Sequence, residues 1–88
     1  MANNETLDTS KLKTLVDAGA VNYASARGVQ GGYVLAVKVG MAEKFVRAHK
    51  QTNARIFATL EGLSNYCVAA GIRRFDVDLA GYSKKSLF

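Results

Sequence analysis

"GGYVLAVKVGMAEKFVRAHK", residues 31–50, carries the strongest pattern in the chain. Gly31 and Gly32 can supply the positive φ angles of a tight turn, and the β-branched run behind them suits a pleated strand. In that strand Tyr33, Leu35, Val37 and Val39 fall on one side, and Val34, Ala36 and Lys38 on the other. GMAE then turns the chain into KFVRAHK, where Phe45, Arg47 and His49 alternate with Val46 and Ala48. A hairpin is the economical reading. Either alternation of its second strand can face inward. QTN is a second polar turn and ARIFA a third strand, so the short connections predict an antiparallel meander.

Working outward, residues 1–8 are polar and aperiodic and read as a flexible arm, 9–82 as one domain, and 83–88 as a basic tail. Thr9 or Ser10 can cap a short helix over KLKTLVDAGA, whose Leu12, Leu15 and Val16 share a face. AVNYASARGVQ is a first strand or an extended connection, with Val21, Tyr23 and Ser25 on one side. Thr59 is placed to cap a helix over LEGLSNYCVAAG, with Glu61 in its first turn and an apolar stripe of Leu60, Leu63, Cys67 and Ala70. Gly71 suits a left-handed helix ending, followed by an apolar contact from Ile72. In RRFDVDL, residues 73–79, Phe75, Val77 and Leu79 alternate with Arg74, Asp76 and Asp78, as in a strand with one wet face. The predicted fold is α+β: a mostly antiparallel sheet of about four strands with two helices on one face.

Eighty-eight residues, 49% hydrophobic and 22% charged, support one small globular core. The run from Val34 to Val37 is far short of the roughly 20 apolar residues a membrane span requires. The first residues have neither a basic start nor an apolar stretch, so no membrane contact and a cytoplasmic location are expected. The single cysteine, Cys67, has no CxxC or Cys/His companion, which leaves too few ligands for a zinc site and reads as a small buried hydrophobe. The net charge of +5 is concentrated: between Arg27 and Arg55 six cations face Glu43 alone. Clustered charge of this size attracts polyanions or acidic protein surfaces, and it serves solubility equally well.

Catalytic chemistry has little to stand on. Asp76 and Asp78 lie on one side of a strand and could share a hard cation, but a nuclease needs a third oxygen ligand and a base at recognisable spacing. The simpler reading is a solvated edge strand, paired across strands with Arg55 or Lys38. His49, the only histidine, has no orienting carboxylate in its motif and reads as an exposed strand residue. GVQGG leads into a strand, whereas phosphate loops lead into a helix N-terminus, and no other motif calls for a cofactor or a metal. A binding module fits better, with Lys38, Lys44, Arg47, His49, Lys50 and Arg55 contacting phosphates and Tyr33, Phe45 or Phe57 stacking on bases. A protein-binding module without nucleic acid, or a homodimer formed through an open edge strand, is the alternative; a Mg²⁺-dependent nuclease using Asp76 and Asp78 is a distant third.

The segments Gly31-Gly32-Tyr33, VKVGMAEK from Val37 to Lys44, Arg55 through Tyr66, and Gly71 to Asp78 together resemble the short ParC-type partition-associated proteins of bacterial plasmids and integrated elements. Tyr33 stands where many relatives carry tryptophan and keeps the aromatic. The resemblance implies a non-enzymatic role in plasmid maintenance, with DNA contacted directly or through a DNA-bound partition protein.

Overall fold

The computed structural model describes residues 6–48 and 53–83. Its elements, in chain order, are β1 (Thr6–Leu7), α1 (Thr9–Asp17), β2 (Val21–Val29), β3 (Gly32–Val39), β4 (Ala42–Val46), α2 (Leu60–Ala70) and β5 (Asp76–Asp78). They form one five-stranded sheet in the order β1-β4-β3-β2-β5. The class is α+β as predicted, but the sheet is mixed. β2, β3 and β4 form the antiparallel meander, while β1 pairs parallel with β4 and β5 parallel with β2.

The predicted meander was one strand out of place. Its first strand is the segment 21–29, whose uneven alternation comes from a bulge between Val21 and Tyr23 that turns Val21 toward the core and Tyr23 away from it. ARIFA is no regular strand. Two of its residues make isolated bridges, Ala54 to Arg47 and Phe57 to Tyr33. The arm also shrinks: Thr6 and Leu7 pair with Phe45 and Val46, and Asp8, rather than Thr9 or Ser10, caps α1 by accepting from the Lys11 amide at 2.9 Å. Ser83 bridges Gln30, so it too belongs to the folded body, whereas residues 84–88 lie outside the described part.

Parallel neighbours require crossover connections, and this chain has two. One runs from β1 through α1 to β2, the other from β4 through α2 to β5. Both travel the same way across the sheet between strands of the same direction, so a single handedness places both helices on one face. The core lies there: Leu12 of α1 and Leu63, Cys67 and Ala70 of α2 meet Ala24 and Ala26 of β2, Leu35 and Val37 of β3, and Val46 of β4. The capping expected for α2 is present. Thr59 Oγ1 accepts from the Gly62 amide at 3.0 Å, Gly71 has φ 94°, and the Ile72 amide returns to the Cys67 carbonyl at 2.8 Å.

One end of the sheet is closed by aromatic packing that requires a glycine. Gly28 sits opposite Tyr33, and the backbone and Cβ of Tyr82 occupy the space a side chain would fill, while the Tyr82 ring stacks on Tyr33 with centroids 5.0 Å apart. A Cβ at Gly28 would lie 2.5 Å from that of Tyr82. Gly28→Ala is therefore expected to lose about 1–3 kcal/mol of stability in urea denaturation through overpacking. Leu63→Ala, at a fully buried position, is expected to lose about 2–5 kcal/mol by leaving a cavity.

Candidate functional site

The face of the sheet away from the helices carries Tyr23, Ser25 and Arg27 of β2, Val34, Ala36 and Lys38 of β3, Glu43 and Phe45 of β4, and Asp76 and Asp78 of β5. No helix covers it, yet Ser25, Val34 and Ala36 are 3%, 8% and 1% exposed. Cross-strand neighbours explain this burial. Arg27 stands opposite Val34, Phe45 opposite Ala36, and the two close over β3 with the Arg27 guanidinium 5.9 Å from the Phe45 ring centre. Glu43 fixes the arrangement by accepting from both terminal nitrogens of Arg27, the Nη1 contact being 3.1 Å. That bond holds the guanidinium above its ordinary pKa against the opposing effect of burial. The charged pair is thus a lid over apolar sheet, and its alkyl stem contributes more than its charge.

At the β5 edge the Tyr23 hydroxyl donates to Asp76 Oδ2 at 2.6 Å, and Asp78 Oδ1 accepts from the Ala80 amide at 3.0 Å. Neither aspartate pairs with Arg55 or Lys38, the partners expected from sequence. Among the described residues no three His, Cys, Asp or Glu side chains converge as a metal site. All three residues of β5 are exposed, and Val77 and Leu79, which were expected to be buried, are 45% and 55% exposed. Their alternation is intact, but the helices stop short of this edge strand, so only Phe75 reaches the core.

The predicted basic residues do not form one patch. Lys38 and Arg47 lie on the helix-free side, where Arg47 Nε donates to Thr6 Oγ1 at 3.0 Å. Lys44, opposite Val37, and Arg55 lie on the helix side, Arg55 over the rings of Phe57 and Tyr66 at 4.5 and 5.6 Å. His49 and Lys50 fall outside the described residues. The proposed stacking groups are similarly committed: Tyr33 and Phe57 belong to the core, and Phe45 lies beneath Arg27. On the helix-free side Arg27, Lys38 and Arg47 are equalled in number by Glu43, Asp76 and Asp78, with Arg27 and Glu43 in direct contact. Cys67 is 1% exposed, and burial pushes its thiol up to about 11, so it stays protonated.

A cleft of about 340 Å³ opens where β2 outruns β5. β2 spans nine residues, but β5 pairs only with Ser25 to Arg27, and the chain from Gly71 to Phe75 swings away toward the end of α2. Val16, Val21, Ala24, Ile72 and Phe75 line the cleft, with Asn22, Arg73, Arg74 and Asp76 among its polar walls. Arg73 and Arg74 are exposed, and neither side chain has a hydrogen-bond or ion-pair partner among the described residues. From the sequence, Arg74 was expected on the wet side of a strand with Asp76 and Asp78, and Arg73 had no assigned role. A pair of cations two and three residues past the helix-ending Gly71 was the available signal, because such residues must emerge at the rim of the sheet.

The geometry defines a two-layer α+β domain whose polar features are a charge-matched sheet face and an arginine-walled cleft. The chain belongs to the ParC-like family, whose model matches residues 7–86. No curated protein and no solved structure gave a significant match. No helix among the described residues is long and apolar enough to cross a membrane.

Two outcomes test the helix-free face. Arg27→Ala uncovers Val34 and Ala36 and is expected to cost about 1–2 kcal/mol by chemical denaturation, whereas Arg27→Met, which keeps the stem, recovers most of it. Tyr23 is expected to ionise above the usual tyrosine pKa, because its hydrogen bond to Asp76 favours the protonated phenol. Its folded-state pKa is raised, so the associated stability is present below the unfolded value and lost as pH rises through the folded one. An ultraviolet pH titration checks this, with Asp76→Ala expected to return Tyr23 toward its ordinary range.

Proposed function

We propose that the protein is a non-enzymatic accessory factor of plasmid partition that acts by binding a protein partner of the partition apparatus. Membership of the ParC-like family supports the setting. The observation that carries the mode of action is the distribution of charge. Tight, sequence-independent DNA binding needs an array of cations free to displace counterions from successive phosphates. On the helix-free face the described cations are balanced by carboxylates, and Arg27 is already engaged by Glu43. The other described candidates, Lys44 and Arg55, stand on the opposite side of the sheet.

The second reading is direct DNA contact through Lys38, Lys44, Arg47 and Arg55, with His49 and Lys50. The net charge of +5 favours it, since long-range attraction to a polyanion follows the total as well as the pattern. Titration of labelled duplex and single-stranded DNA at two salt concentrations separates the two. The partner reading expects no affinity at the level of roughly 1 μM in moderate salt and only weak binding at low salt. Binding at or below that level, falling steeply with salt and lost in Lys38→Glu/Arg47→Glu, would establish direct contact instead.

A further inference from the structure

We infer that the cleft between the first half of β2 and the segment 71–76 is the docking site for an extended acidic segment of a partner protein. This rests on the reading of the protein as a partner-binding factor and names the surface and the chemistry of the partner. Three features converge there. First, no strand among the described residues lies beside the β2 edge from Val21 to Ala24 on this side, because β5 begins its pairing only at Ser25. An uncovered strand edge is a template for main-chain hydrogen bonds from an extended segment. Second, the lining is apolar, with Ala24 and Ile72 buried and Val16, Val21 and Phe75 partly buried, so alternate side chains of an incoming strand find hydrocarbon contacts.

Third, Arg73 and Arg74 supply two guanidinium groups that nothing in the described chain neutralises. The acid in the cleft wall, Asp76, accepts from Tyr23 and forms no ion pair with either arginine, which leaves both for an external carboxylate. The required ligand alternates acidic and apolar side chains in an extended conformation. Nucleic acid fits less well: a space of about 340 Å³ admits side chains but not a duplex.

The test is an amide-resonance titration of the isotope-labelled protein with a short synthetic peptide alternating Glu and Val, and with its Lys and Val counterpart. The acidic peptide is expected to shift resonances of residues 21–24 and 72–76, and the basic one to leave them in place. Arg73→Glu/Arg74→Glu is expected to weaken the acidic peptide by about tenfold or more. Lys11→Glu/Lys13→Glu, the same charge change on exposed positions of α1, is expected to leave the affinity close to that of the unaltered protein. Both variants alter exposed side chains, and their spectra report whether the fold is retained. Absence of shifts at the cleft, an equal loss in both variants, or displacement of the peptide by duplex DNA at these same resonances would overturn the inference. If the peptide fails while DNA also fails to bind, the docking site falls and the partner reading stands. DNA binding centred on Lys38 and Arg47 would remove the partner reading and leave the cleft to be judged by the peptide alone.

Discussion

The structure depends on burying β3 from both sides. It is the central strand of five, and residues 32–37 are all buried. On one side two helices supply the apolar partners in the ordinary way. On the other there is no second layer, and a strand reading Val34, Ala36, Lys38 would leave hydrocarbon facing water. Arg27 and Phe45, reaching inward from the flanking strands and tied through Glu43, replace that layer. An ion pair about one-third exposed adds under about 1 kcal/mol by its charge, so the covering alkyl stem is the larger contribution.

This arrangement limits the chemistry the face can perform. Arg27, recruited to cover sheet, is not free to grip a polyanion, and the carboxylate of Glu43 that positions it cancels its charge. Two further uncommitted cations, Arg73 and Arg74, stand where the chain leaves α2 and has yet to join the sheet. The cleft is a consequence of topology. A long β2 and a short β5 must leave part of an edge open, and the crossover that delivers β5 supplies the opposite wall.

Much of the fold was legible because it is local. The strand behind Gly31-Gly32, the cap at Thr59 and the stop at Gly71 with Ile72 each rest on residues within one turn of one another. The strand expected over residues 73–79 from the alternation of Phe75, Val77 and Leu79 is present only at Asp76–Asp78, and its expected burial is absent. A period of two says which side chains share a face, but the depth of that face depends on how far the helices extend over it. Thr6 and Leu7 escaped notice for a related reason: two residues have no period, and only their parallel pairing with β4 makes them a strand.

The sequence alone determined the α+β class, the two helices with their apolar stripes, the strand behind Gly31-Gly32 and the inertness of Cys67, since these follow from neighbours along the chain. Tertiary structure decided the strand order, the parallel edges, the separation of Lys38 and Arg47 from Lys44 and Arg55, and the pairing of Asp76 with Tyr23. Each of these joins residues distant in sequence, and spacing along the chain carries no record of which side chains will meet across a sheet.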